Sequence, residues 1–148
     1  MKIFLPLLVF AVCFSCSKPP VQSTNRISKT EIPDFLLGSF EDDYGIKYVI
    51  NDSVWKQGDY ASYAMLEWNE KKQFLIVRNA DKNPSDAGLY SRIDYMKFQD
   101  MEPYTWGFCL SLYNAATREI AEDSAVVDRL NPKTGCNGYP FSRMKKIE

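Results

Sequence analysis

The chain has 148 residues and not one histidine. No Ser-His-Asp or Cys-His nucleophile set can be assembled from it, nor a zinc site with an imidazole ligand. The groups left for chemistry are carboxylates, tyrosines, arginines and cysteines. Three arginines stand out, because strand alternation places each among apolar neighbours. Arg78 shares a face with Phe74 and Ile76, and Arg143 with Tyr139 and Phe141. Arg92 shares one with Tyr90, Met96 and Phe98, and with Asp94. A guanidinium cannot discard its proton, so burying it unpaired is costly. One reading is a cavity with aromatic walls from Trp55, Trp68 and Trp106, in which Arg78, Arg92 and Arg143 receive the anionic group of an amphiphile. The other pairs Arg92 with Asp94, lets Arg143 cover a barrel end and Arg78 reach water, and places the tryptophans in the core. A bulge would reverse the phase of any of these strands.

Other groupings carry less. Asp42 and Asp43 are adjacent carboxylates, but neighbours in a strand or turn diverge, and no second pair accompanies them. Asp81, Asn83, Ser85, Asp86 and Gly88 form an oxygen-rich loop with some calcium-site character. It lacks the glycine and terminal glutamate of an EF-hand loop, Pro84 stiffens it, and hairpin-loop chemistry accounts for it more simply. Arg118, Glu119, Glu122 and Asp123 read as a solvated helix face. There is no glycine-rich phosphate loop or P-loop lysine motif. A formal net charge of −1 offers no footprint for nucleic acid. The sequence calls for no cofactor and no metal, and it favours a binding module over an enzyme using carboxylates or a tyrosine.

The elements that must position these residues are short. Phe35 to Phe40 leads into a first strand, and Asp42 to Gly45 is a turn. Ile46, Tyr48 and Ile50 then alternate with Lys47 and Asn51, the period of a half-buried strand. Further strands are expected over Ser53–Gln57, Tyr60–Trp68, Gln73–Asn79, Leu89–Phe98, Tyr104–Asn114 and Tyr139–Ile147. On Tyr104–Asn114, Trp106, Phe108, Leu110 and Leu112 fall on one face and Cys109 on the other. One helix is expected after an Asn114 cap, with Ala116, Ile120, Val127 and Leu130 near one face and Asn131-Pro132 ending it. Thr134 to Phe141 looks like a shaped turn. About eight strands in hairpin order predict an all-β fold, a small antiparallel up-and-down barrel with one helix before the last strand. A two-sheet sandwich is the alternative.

The chain opens with Met1-Lys2 and an apolar run from Ile3 to Phe14, too short to span a bilayer. It ends at Cys13-Phe14-Ser15-Cys16, where a small serine directly precedes a cysteine. This resembles the lipobox of bacterial lipoproteins, which implies cleavage after residue 15 and a lipid such as palmitate on Cys16. Cleavage as an ordinary secreted protein is the alternative. Ser17 stands where inner-membrane retention would place an aspartate, so the implied address is the outer membrane, facing the periplasm. The chain thus divides into a signal peptide at 1–15, a flexible tether at 16–32 and a barrel domain at 33–148. The membrane is the first partner, through the lipid; a small amphiphile or another envelope component is the second.

With Cys13 removed and Cys16 lipidated, Cys109 and Cys136 remain as an even pair in an oxidising compartment. A structural disulfide is expected; a reactive thiol pair would lack CxxC spacing and a histidine to lower the thiol pKa. The barrel ends are also similar to lipocalins. Gly38-Ser39-Phe40 stands where that family carries Gly-x-Trp, and Arg143 stands where an arginine packs across that aromatic. The resemblance implies a calycin-like barrel able to hold a small amphiphile.

Overall fold

The computed structural model describes residues 32–123 and 127–147. The expected signal peptide, the expected lipidation site Cys16 and the expected tether through residue 31 lie outside the described residues. Eight strands follow in sequence order: β1 (Gly38–Asp42), β2 (Lys47–Ile50), β3 (Val54–Gln57), β4 (Ala61–Asn69), β5 (Phe74–Asn79), β6 (Tyr90–Lys97), β7 (Trp106–Ala115) and β8 (Ser142–Ile147). Each pairs antiparallel with the next, and β8 pairs with β1, so the sheet closes into an up-and-down barrel. Closure leaves no open sheet edge to protect. The turns are built from the residues that punctuate the sequence. At β1–β2, Asp42 Oδ1 accepts the N–H groups of Tyr44 and Ile46, and Gly45 supplies the left-handed φ of +82° that closes the hairpin.

Alternation turns one side of every strand inward. Phe40, Ile50, Trp55, Leu75, Val77, Ile93, Tyr95, Trp106, Phe108 and Met144 form the interior core. Its centre is aromatic: Trp55 packs edge-on to Trp106 at 6.0 Å and to Phe108 at 5.1 Å, and Phe40 meets Trp106 at 5.1 Å. A single 3-10 turn at Asp34–Leu36 closes one end, the base. Leu36 is buried there, and the Phe35 ring stands edge-on to Trp106 at 6.4 Å.

Between β7 and β8 the chain makes a long excursion, a strap over the outer face of β5, β6 and β7. It carries the one helix described before the last strand, α1 (Arg118–Asp123), which packs on those three strands. Under it lies a second apolar cluster of Phe74, Ile76, Ala115 and Ala121, flanked by Tyr90 and Leu112. Cys109 and Cys136 form a disulfide that ties the strap to β7. The helix is shorter than the apolar spacing predicts. Asn114 belongs to β7, Thr117 Oγ1 instead accepts the N–H of Ile120, and Leu130 is 93% exposed. Tyr139 likewise precedes β8 and is 73% exposed. Within the strap Gly135 is sterically required, because a Cβ there would sit 1.8 Å from the carbonyl oxygen of Asp128.

Candidate functional site

None of the three arginines faces the interior. Arg78 extends from β5 into solvent and pairs with Asp81 at 2.9 Å. Arg143 is exposed, pairs with Asp43 at 2.8 Å and lies over the ring of Tyr104 at 4.9 Å rather than across Phe40. Asp43 holds the Arg143 guanidinium above its ordinary pKa by a hydrogen bond. Arg92 is buried, but under the strap: its guanidinium covers the ring of Phe74 at 4.0 Å and grips both carboxylate oxygens of Asp94, at 2.9 and 3.1 Å. The expected cluster of Arg78, Arg92 and Arg143 around one cavity is therefore not formed. The physical reason is the strap. Because it covers the outer face of β5–β7, that face is apolar as well, and alternation alone does not say which apolar face is inside.

The tryptophans separate too. Trp55 and Trp106 fill the core, at 1% and 0% exposure. Trp68 is only partly buried and stacks on Tyr95 at 4.7 Å. A phase reversal occurs on β7, where Leu110 packs into the interior cluster and Leu112 into the outer one. The register with β6 gains an extra β7 residue between Leu110 and Leu112, and Ser111 there points outward to Asp94.

The end of the barrel opposite the base is different in character. The inward positions of four strands end polar there: Asp42 after Phe40, Gln57 after Trp55, Asn79 after Val77, and Ser91 before Ile93. They form two hydrogen-bonded groups. In the first, Tyr63 donates its hydroxyl to Gln57 Oε1 at 3.4 Å, Gln57 Nε2 donates to the Tyr48 hydroxyl at 3.4 Å, and Tyr48 donates to Asp42 Oδ2 at 2.8 Å. In the second, Ser91 donates to Asn79 Oδ1 at 2.6 Å, and Asn79 Nδ2 donates to the carbonyls of Asp86 and Tyr113. Burial, and then the Asp42 carboxylate, push the Tyr48 phenol well above its ordinary pKa. Burial, followed by Tyr60 and Asp86, pushes Tyr63 up in the same direction. Both phenols are neutral donors in the folded barrel.

Above these groups lies a cleft of about 280 Å³, walled by Gln57, Tyr60, Tyr63 and Tyr113 and by the β5–β6 loop from Asn83 to Asp86. That is just below the roughly 300–1,000 Å³ of small-molecule sites. The oxygen-rich loop of the sequence thus forms one wall of the mouth. Its Asn83 amide is engaged on both sides by the backbone of Ser62, and Asp81 by Arg78. Among the described residues, no group of three or more His, Cys, Asp or Glu side chains is placed to hold a metal ion.

No family model, curated protein or solved structure matches this chain. Gln57, Tyr60, Tyr63, Asn79, Ser91 and Tyr113 did not stand out by residue type. The signal that finds three of these positions, Gln57, Asn79 and Ser91, together with Asp42, is positional: the inward phase of each strand turns polar at the same end.

Proposed function

We propose that this protein is a lipid-anchored component of the bacterial envelope that acts by recognition at the barrel mouth, without catalysis and without a ligand in the barrel interior. The observation that carries this is the contrast between the two ends of the interior. The core is filled by interlocking aromatics, whereas the mouth presents Tyr60 and Tyr113 at 52% and 51% exposure beside a polar cleft. Exposed tyrosines are enriched at recognition surfaces because one rigid ring offers both apolar area and a polar tip. The tether would enter at the base, next to Phe35 and Trp106, so anchoring at Cys16 leaves the mouth at the far end of the domain.

An amphiphile held inside the barrel is the second reading. The aromatic walls it needs are present, but its anionic group would have to find a cation other than Arg78, Arg92 and Arg143, all engaged outside. Site-specific photo-crosslinking in cells tests the first reading. A crosslinking residue at Tyr60 or Tyr113 should give discrete adducts, and one at Lys71, exposed on the β4–β5 turn at the base, should not. Equal adducts from both ends, or none from the mouth, would overturn it. Cys16→Ser should release the protein from the membrane fraction.

A further inference from the structure

We propose that the mouth cleft is a site for a small organic molecule bearing a primary ammonium group, seated between the Asp86 carboxylate and the phenol oxygens of Tyr63 and Tyr60. This deepens the reading that the mouth is the recognising end, and rests on it. The buried hydrogen-bond chain beneath the cleft has a fixed direction. Asp42 also accepts two backbone N–H groups and acts as acceptor only, so Tyr48 must donate to it. The Gln57 amide then donates to Tyr48 and turns its oxygen to Tyr63, which donates in turn. With its proton committed inward, the Tyr63 hydroxyl offers the cleft only lone pairs.

The other lining groups act in the same sense. Both amide protons of Asn79 and its oxygen are engaged, and Asn83 is engaged at both ends of its amide. Asn79 has no donor to spare, and Ser62 takes one of the two Asn83 amide protons. Asp86 differs from Asp81 and Asp43, each of which holds an arginine; among the described residues no cation pairs with it. No lysine or arginine lines the cleft among the described residues. An anion would meet an uncompensated carboxylate there, and an apolar group would desolvate it without a partner. A primary ammonium carries three donors and no acceptor and brings the counter-charge that the Asp86 carboxylate lacks, and tyrosine faces attract a cation further. The volume of about 280 Å³ restricts the ligand to a small molecule or the end of a longer one.

Calorimetry on the detergent-solubilised full chain tests this with tyramine, 1,5-diaminopentane and glucosamine, each beside its N-acetyl counterpart. At least one amine should bind saturably, and its N-acetylated form at least tenfold more weakly. Asp86→Asn should weaken the amine at least tenfold. Asn tolerates the left-handed φ of +52° at this position, so the loop keeps its shape. Asp81→Asn, in the same loop, should leave binding unchanged. The proposal is overturned if the acetylated forms bind equally, if Asp81→Asn matches Asp86→Asn, or if none of the three amines saturates. In those cases persistent mouth crosslinks at Tyr60 would leave the recognition reading standing, and their loss would remove both.

Discussion

Arg129 reaches from the strap to set its Nη2 2.8 Å from Oδ1 of Asp94, a carboxylate with no solvent exposure, 35 residues away in the chain. Asp94 is also held by Arg92 and by the Ser111 hydroxyl at 2.6 Å, while Arg129 takes the carbonyls of Tyr95 and Gln73 at 3.0 and 2.9 Å. One buried anion thus joins β6, β7 and the strap.

Removing that anion should be far worse than removing one of its partners. Asp94→Ala leaves two guanidiniums facing each other with no counter-charge, and breaking a buried pair in this way costs about 3–5 kcal/mol. Arg129→Met leaves Asp94 paired with Arg92 and should cost about 1–3 kcal/mol. Urea unfolding of both variants checks the order; equal losses would show that Arg129 carries the cluster as much as Asp94 does.

The disulfide closes the same strap by a second route. Cys109 and Cys136 are 27 residues apart, and the loop-closure model assigns such a crosslink about 3–4 kcal/mol, acting on the unfolded chain. The double variant Cys109→Ser, Cys136→Ser should therefore lower the urea midpoint while retaining the far-ultraviolet circular dichroism of the barrel. The buried Asp94 cluster still seats the strap, so the folded state survives. A midpoint unchanged by the substitutions would mean that the unfolded chain is already restricted across this loop.

Much of this architecture is legible in the residues. Turn chemistry at Asp42–Gly45 and Gly58-Asp59, with period-2 patterning between, marks out the strands, and their hairpin order implies closure. The face of each arginine was legible as well, but not the side of the sheet. Phe74 and Ile76 look like core because they are buried, under the strap and not in the barrel. Ser111 hides the β7 phase change, since an extra residue at a bulge leaves no mark in composition. Arg129 was invisible for another reason: it lies in irregular chain, where no periodicity aims a side chain, and its partner is distant in sequence. The mouth was within reach. Following the inward phase past the last apolar residue of each strand leads to Asp42, Gln57, Asn79 and Ser91.

If the aromatic interior is core and not a ligand chamber, it should behave as core. Trp55→Ala should cost about 3–5 kcal/mol, the range for deleting a large buried aromatic. The intact protein should not take up a fluorescent fatty acid, since Trp55, Trp106 and Phe108 occupy the space. The variant, given the resulting cavity, should bind a small apolar probe such as benzene, as dry engineered cavities do. Saturable fatty-acid uptake by the unmodified chain would instead favour the interior-ligand reading.

Alkaline pH should destabilise the barrel. Burial raises the pKa of Tyr48, Tyr63 and Tyr95 above the ordinary 10.0; Asp42 adds to it at Tyr48 and Glu70 at Tyr95. A folded pKa above the unfolded one means that the folded state holds its proton after the unfolded state has lost it. Stability from these groups is therefore complete below pH 10.0 and declines as pH rises from there through the folded values. The unfolding free energy should fall above that point, and tyrosinate absorbance from the buried Tyr48 and Tyr95 should appear only with loss of the near-ultraviolet circular dichroism. Tyr48→Phe removes one of the groups and should flatten the alkaline slope, even though it also costs about 1 kcal/mol for the hydrogen bond to Asp42. An unchanged slope would place the alkaline sensitivity elsewhere in the barrel.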